Sequence, residues 1–260
     1  MFGVVPKTMW SKAVPPDDLN RIPMAMRCLL LLGHGKTILV DVGMTNGGDE
    51  KFRQRFNVEN ERGRALFSSL AKFNLTPEDI TDVVLTHLHF DHGSGAVTFD
   101  NGKPRLTFPN AQHYLQRDHL HWALNPAYRE RASFLKGTIM PLVESGRLHL
   151  AKGPCSLLPD LDAAVSNGHT IGMQYLRIKT SKGMLVYCTD VMPTMAHLGK
   201  AYNMGYDLQP LLGAKEKEAM LEYASASKAL IVSEHDPTLP AIRVEDNAKW
   251  FRIVDQVPFE

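Results

Sequence analysis

Residues 25–43 read A-M-R-C-L-L-L-L-G-H-G-K-T-I-L-V-D-V-G, two apolar runs on either side of a Gly33-His34-Gly35-Lys36 turn. That pattern predicts a β-hairpin. The runs are nearly continuous rather than alternating, so both strands are expected to be buried on both faces. Around 61–73, Ala65, Leu66, Leu70 and Phe73 recur at helical spacing among charged residues. In L-T-P-E-D-I at 75–80, Thr76 suits a helix cap, Pro77 the first helical position, and Glu78 and Asp79 the positive end. Asp82 to Thr86, D-V-V-L-T, predicts a short buried strand. The stretch 110–150 reads as helical and irregular, interrupted at Pro126, Gly137 and Pro141. A second hairpin is expected over 171–190, turning at Ser181-Lys182-Gly183. A helix over 214–229 leads into a strand, A-L-I-V-S, before Glu234. With no repeat or linker and strands mixed with helices throughout, the pattern predicts one α/β domain over 1–260. Pro6, Pro15, Pro16 and Pro23 make 1–24 an extended N-terminal arm.

Composition narrows the function classes. A chain of 260 residues buries a core without disulfides or structural metals, so a metal site in it is expected to be catalytic. With 29 basic and 28 acidic residues the net charge is +1, which offers no field for nucleic acid. The three cysteines, Cys28, Cys155 and Cys188, are widely spaced and form no C-x-x-C pair, which favours a reducing compartment. No apolar run is long enough for a membrane span, and the opening M-F-G-V-V-P lacks the form of a secretion signal. A cytoplasmic protein that binds neither membrane nor nucleic acid is expected.

The chemistry concentrates in T-H-L-H-F-D-H-G-S-G at 86–95. Three imidazoles and a carboxylate fall within six residues, directly after a predicted buried strand. Imidazole ligates Zn²⁺, Fe²⁺ or Mn²⁺, and aspartate adds a hard oxygen. Alternate residues of an extended segment point the same way, so His87 and His89 can share one metal. The following turn can direct Asp91 and His92 to a neighbouring point, with Gly93 and Gly95 allowing tight folding. Further candidates stand at predicted strand ends or turns: His169 in N-G-H-T-I-G, Asp190 ending L-V-Y-C-T-D, and His235 after A-L-I-V-S-E.

H-L-H-F-D-H resembles the H-x-H-x-D-H signature of the metallo-β-lactamase superfamily, and N-G-H-T, Y-C-T-D and S-E-H-D match its later motifs in order. The resemblance covers essentially the whole chain. It implies an αβ/βα sandwich, two mixed β-sheets flanked by helices with metals at the sheet edge. It also implies two divalent ions, zinc by default, with Fe²⁺, Mn²⁺ or Co²⁺ suiting the same ligands. His87, His89 and His169 would bind the first ion, Asp91, His92 and His235 the second, and Asp190 both. Met173 stands where many relatives carry a second histidine in G-H-T-x-G-H. A hydroxide shared by the ions would attack a carbonyl or phosphoryl centre. Asp190 would set metal spacing, and Asp91 would carry a proton to the leaving group.

Within the superfamily, the opening M-F-G-V-V-P-K-T-M-W-S-K and D-V-M-P-T-M-A-H resemble the lactonase group near methyl-parathion-hydrolase-type enzymes. The expected substrate is a small lactone or ester, acyl-homoserine lactones first. Organophosphate or aryl-ester hydrolysis, and a catalytically idle ligand-binding member, are the alternatives. Familiar acyl-homoserine lactonases carry tyrosine three positions after the bridging aspartate; here Pro193 stands there. Phe90, Met192 and His197 are the candidate substrate contacts, and Phe90, Met173, Met192, Met195 and Trp10 would make an apolar pocket. His119 and His121 form a second H-L-H, but two residues apart on a helix they diverge and carry no metal. His34, His113 and His149 are expected to be solvated or hydrogen-bonded, and Cys188 a buried structural thiol. The pattern is compatible with a homodimer. In similar proteins an edge strand precedes M-F-G-V-V-P, so one is expected upstream of Met1.

Overall fold

The computed structural model describes residues 1–47, 50–59 and 64–257. Two compact units divide the chain: Met1–Arg27 with Gly153–Glu260, and Cys28–Lys152. The first 24 residues contain a single helical turn, α1 (Lys7–Trp10), and no strand.

The Cys28–Lys152 unit begins with the expected hairpin, β1 (Leu29–Gly33) and β2 (Lys36–Val40). Its turn is His34-Gly35, both in the left-handed region at φ 52° and 70°, the geometry that matches strand twist. Two helices follow, α2 (Glu50–Phe56) and α3 (Arg64–Ala71). The latter matches the expected 61–73 helix over 64–71; Lys72 and Phe73 lie in the turn after it, and 61–63 lie outside the described residues. Thr76 caps a 3₁₀ turn at Pro77–Asp79 through a reciprocal box with Asp79, as the sequence leads one to expect. The buried strand there is only β3 (Asp82–Val84).

A hairpin that the sequence reading omitted comes next, β4 (Val97–Asp100) and β5 (Lys103–Leu106), closed by Asn101-Gly102 at φ 48° and 78°. The expectation of irregular helix over 110–150 is corrected: β6 (Gln112–Gln116) and β7 (Leu148–Ala151) are strands of the main sheet. Between them lie α4 (Arg117–Leu124) and α5 (Lys136–Glu144). Gly137 and Pro141 do not break α5. Proline removes one backbone hydrogen bond there, while Ile139 and Leu142 on either side of it are buried in the core.

The main sheet of this unit runs β1-β2-β3-β6-β7, antiparallel at the first pair and parallel thereafter. Burial on both faces holds for the end of β2 and for β3 but not for β1, which lies at the sheet edge with Leu32 65% exposed. Leu39, Val83, Leu85, Leu115, Leu120 and Leu142 are fully or nearly fully buried in one apolar layer. Each such side chain contributes about 1.5–3 kcal/mol.

The other unit is a seven-stranded mixed sheet. Its strands are β8 (Cys155–Leu158), β9 (Leu161–Ser166), β10 (Met173–Thr180), β11 (Gly183–Tyr187), β12 (Leu230–Val232), β13 (Ala241–Asp246) and β14 (Phe251–Val257). Their order is β14-β13-β12-β11-β10-β9-β8, with β11-β12 the parallel pair. The expected 171–190 hairpin is β10-β11. The expected late helix is α6 (Pro210–Ala226), which presents Met220, Leu221 and Ala224 to Ile231, Ile242 and Val244. One correction bears on the chemistry. β11 ends at Tyr187, and Asp190 sits in a 3₁₀ turn at Thr189–Val191. Thr189 is held there at φ 41°, uncommon for a β-branched residue and a local strain of about 1–3 kcal/mol.

Candidate metal centre

In the Cys28–Lys152 unit, four candidate residues follow β3 in one loop. The loop folds against the D-V-G segment at the end of β2: Asp41 N–H donates to the Val84 carbonyl at 3.0 Å, and Val42 N–H to that of His92 at 2.9 Å. Gly95 is required by proximity rather than by φ, since a Cβ there would lie 2.1 Å from the Val42 carbonyl oxygen. Asp41 is the organising group that sequence reasoning missed. It is fully buried, at φ 50°. Its carboxylate accepts the Thr86 N–H at 2.7 Å and the Thr86 hydroxyl at 2.6 Å, and His92 Nδ1 lies 3.2 Å from it.

These contacts set the tautomers. The Thr86 hydroxyl proton goes to Asp41, so at 3.0 Å that oxygen accepts from His87 Nδ1. His92 Nδ1 donates to Asp41. His89 Nε2 donates to Glu130 at 2.7 Å, and Glu130 also accepts the Trp122 indole N–H at 2.7 Å. When neutral, each of the three rings thus keeps one acceptor nitrogen: His87 Nε2, His89 Nδ1 and His92 Nε2. The first two lie 3.1 Å apart. Two acceptor nitrogens at that distance repel unless an electrophile sits between them. Tetrahedral zinc with bonds of 2.0–2.1 Å places neighbouring ligand atoms about 3.3 Å apart. Asp91 has a side chain 23% exposed, with an oxygen 3.9 Å from His92 Nε2.

His119 also acts here, in a supporting part that the sequence reading of the second H-L-H did not foresee. Its ring is buried in α4, and Nε2 accepts the Leu88 N–H at 2.8 Å, pinning the backbone between His87 and His89. His121, two positions on, is exposed. His113 is not solvated. It is fully buried in β6, and burial lowers its pKa to about 4.

The other unit carries His169, Asp190 and His235. His169 lies in the turn before β10, and its Nδ1 donates to Asp207 at 3.0 Å. His235 follows β12, and its Nδ1 donates to the Ala25 carbonyl at 2.8 Å. Arg27 braces that loop, donating to the carbonyls of Ser233 at 2.7 Å and Asp236 at 3.0 Å. The acceptor nitrogens are therefore His169 Nε2 and His235 Nε2. Each lies 3.1 Å from Asp190, the first from Oδ2 and the second from Oδ1.

Five imidazoles in two units follow one rule: the outer nitrogen is tied to a carboxylate, hydroxyl or carbonyl, and the other keeps its lone pair. That is how proteins prepare histidine for a metal. The donor set therefore fits divalent ions that accept nitrogen and oxygen.

The remaining candidates lie elsewhere. Phe90 packs on Phe52 and Phe56 of α2, with ring centroids 4.8 and 5.0 Å away. Met173, Met192 and Met195 are core residues. His197 is buried, stacked on Phe2 at 4.7 Å and bonded to the Thr194 hydroxyl at 2.8 Å through Nδ1. Burial also lowers its pKa to about 4. Cys188 is a fully buried thiol donating to the Met192 and Val232 carbonyls, and burial pushes its pKa up.

Comparison with known proteins agrees with this chemistry. Residues 26–150 match the metallo-β-lactamase superfamily. A probable metal-dependent hydrolase from Staphylococcus aureus superposes with a TM-score of 0.90 at 30% identity, over 100% of this chain and 91% of that one. An N-acyl homoserine lactonase from Bacillus cereus is 28% identical over 69% of this chain and 67% of its own length. AidC, a dizinc quorum-quenching lactonase solved with a product, has the same fold: TM-score 0.74 at 22% identity, over 91% of this chain and 81% of that one. The chain belongs to the metallo-β-lactamase superfamily and is a hydrolase. Its mixed sheets flanked by helices are the fold of that family.

Proposed function

We propose that the chain is a dinuclear metal-dependent lactonase. The observation that carries this reading is Asp190, whose two carboxylate oxygens each face a different imidazole acceptor at 3.1 Å. A carboxylate so divided suits two ions rather than one. In this reading His87, His89 and His169 hold one ion, Asp91, His92 and His235 the other, and Asp190 both. Zinc is the proposed metal, in keeping with the dizinc relative. Such ions acidify a water and polarise the oxygen of the electrophile. Asp190 would serve both ions, with its oxygens held 3.1 Å from His169 Nε2 and His235 Nε2. Asp91, the more exposed carboxylate, carries a proton towards the leaving group.

Lactone as substrate is supported by the curated relatives, N-acyl homoserine lactonases matching 69% to 87% of the chain. Phe90, Phe52 and Phe56 place an aromatic wall beside the H-L-H-F-D-H loop, suited to an apolar acyl group. Met192 and His197 are buried and have no part in this proposal. Pro193 offers no hydroxyl for the lactone carbonyl. Its own carbonyl accepts the Ser233 hydroxyl at 2.7 Å and the His235 N–H at 3.2 Å, so this position supports a ligand loop instead. Three widely spaced cysteines with no C-x-x-C pair favour the cytoplasm as the location, and no helix among the described residues is long and apolar enough to cross a membrane.

The test is a panel of acyl-homoserine lactones, aryl esters and phosphotriesters on metal-quantified protein. Two ions per chain are expected, with lactones turned over fastest. kcat/KM should rise by up to about tenfold per two acyl methylenes, each worth about 0.8 kcal/mol. Fast phosphotriester turnover without lactone turnover would move the chain to organophosphate hydrolysis. One ion at full activity would remove the dinuclear centre.

A further inference from the structure

We propose that Glu216 and Lys217, adjacent on α6, are positioning residues that hold His169 in ligating geometry from two sides. The inference rests on the reading of His169 as a metal ligand.

The two side chains perform opposite tasks. Glu216 gathers donors from the segment that enters His169. Its carboxylate accepts the Ser166 hydroxyl at 2.7 Å, the Asn167 N–H at 2.9 Å and the Gly168 N–H at 2.9 Å. Lys217 gathers acceptors from a different segment. Its ammonium is buried, 1% exposed, and donates to the carbonyls of His197, Gly199 and Tyr202 at 2.8–2.9 Å. Three carbonyls satisfy all three of its donors.

That second segment leads directly to the partner of the imidazole. Asn203 and Met204 donate to Asp207 Oδ2 at 3.2 and 3.1 Å, and Asp207 Oδ1 accepts His169 Nδ1 at 3.0 Å. Glu216 therefore fixes the backbone of His169, and Lys217 fixes the loop that orients its ring. The join is tight. Leu208 N–H donates to the His169 carbonyl at 3.1 Å, and a Cβ on Gly168 would lie 2.2 Å from Gly213 Cα in the first turn of α6. Burying a lone ammonium is costly, and a methionine of similar length would fill the same space without that cost. The charge is explained if the loop must be held in one register.

The test is stepwise metal binding by the whole chain, stripped with chelator and titrated with Zn²⁺ against a chromogenic competitor, alongside visible spectra of the Co²⁺ form. Glu216→Ala and Lys217→Met should each weaken one of the two binding steps by about ten- to a hundredfold, the usual effect of losing support behind a ligand. The other step should stay within about threefold, and the Co²⁺ bands of the weakened site should shift. Glu216→Gln keeps one acceptor oxygen for the turn and should recover most of the lost affinity, which a defect in folding alone would not allow. Lys215→Met, at an exposed neighbour, should change neither step. Unchanged binding steps and spectra in both variants, with two ions still bound, would overturn the proposal and leave the dinuclear reading intact. So would an equal loss at both steps that Glu216→Gln does not recover. Unmutated protein that binds no metal would remove the dinuclear reading and this inference with it.

Discussion

The two ligand sets are organised in different ways. In the Cys28–Lys152 unit, four candidates lie within six residues of one another and share one loop. That loop is held mainly by Asp41, Glu130 and His119. In the other unit the candidate ligands come from three separate places, and each has its own support: Asp207 with Glu216 and Lys217 behind His169, a strained Thr189 before Asp190, and Ala25 with Arg27 behind His235. A contiguous motif concentrates its supporting interactions on few residues. A dispersed one spreads them over many. Damage to a single support should therefore be broad in the first unit and confined to one ligand in the second.

The largest effect is expected at Asp190, whose carboxylate faces two imidazoles. Asp190→Ala should lower kcat/KM by about a thousandfold or more and reduce bound metal. His121→Ala, at an exposed position, should alter neither within twofold or so. Equal losses in the two variants, by steady-state kinetics and elemental analysis, would show that the wrong residues have been chosen.

Asp41→Ala comes next. It leaves the Thr86 N–H and hydroxyl and His92 without their buried acceptor. About 3 kcal/mol of stability should be lost even in metal-free protein, read by urea unfolding. A small loss would mean that the loop does not depend on Asp41, and the contrast between the units would weaken.

The comparison is sharpest between Glu130→Gln and Asp207→Asn, which alter the carboxylates behind His89 and His169. Each should cost about ten- to a hundredfold in metal affinity. Glu130→Gln should also disturb Trp122, seen as a change in tryptophan fluorescence, because one carboxylate serves both. If Asp207→Asn disturbs both metal-binding steps and Glu130→Gln only one, the assignment of shared and separate support is reversed.

The smallest effect is a dependence on pH. His113 has a pKa of about 4 in the folded chain against an ordinary 6.5. Below pH 6.5 the unfolded chain therefore binds a proton that the folded one refuses. Stability from this group is full above pH 6.5 and is lost as pH falls towards 4. At pH 5 the loss is about 2 kcal/mol. His113→Leu should make the fall in Tm between pH 7 and pH 5 shallower, provided the leucine packs in the vacated space. An unchanged slope would show that the buried imidazole is not what acid attacks.

The candidate ligands were legible because divalent metals favour histidine and aspartate, and one loop collects four of them in a form that few other functions require. The hairpins β1-β2 and β10-β11 were legible, as were the helical start at Thr76 and the late helix, because each is settled by neighbours in sequence. β6, β7 and β14 were not. Most of their residues are polar or partly exposed; β6 and β7 become strands by pairing with partners distant in sequence, and β14 by closing a hairpin on β13. The same holds for support of the site. Asp41, Glu130, Asp207 and Lys217 stand among ordinary acidic and basic residues in the linear chain. Only folding buries each beside the one group that needs its charge, across separations of 38 to 51 residues for the three carboxylates and their histidines. Sequence by itself determined which atoms can hold a metal. Tertiary structure decided which nitrogen of each ring is left for one, because a tautomer is set by a hydrogen-bond partner and that partner is chosen by the fold.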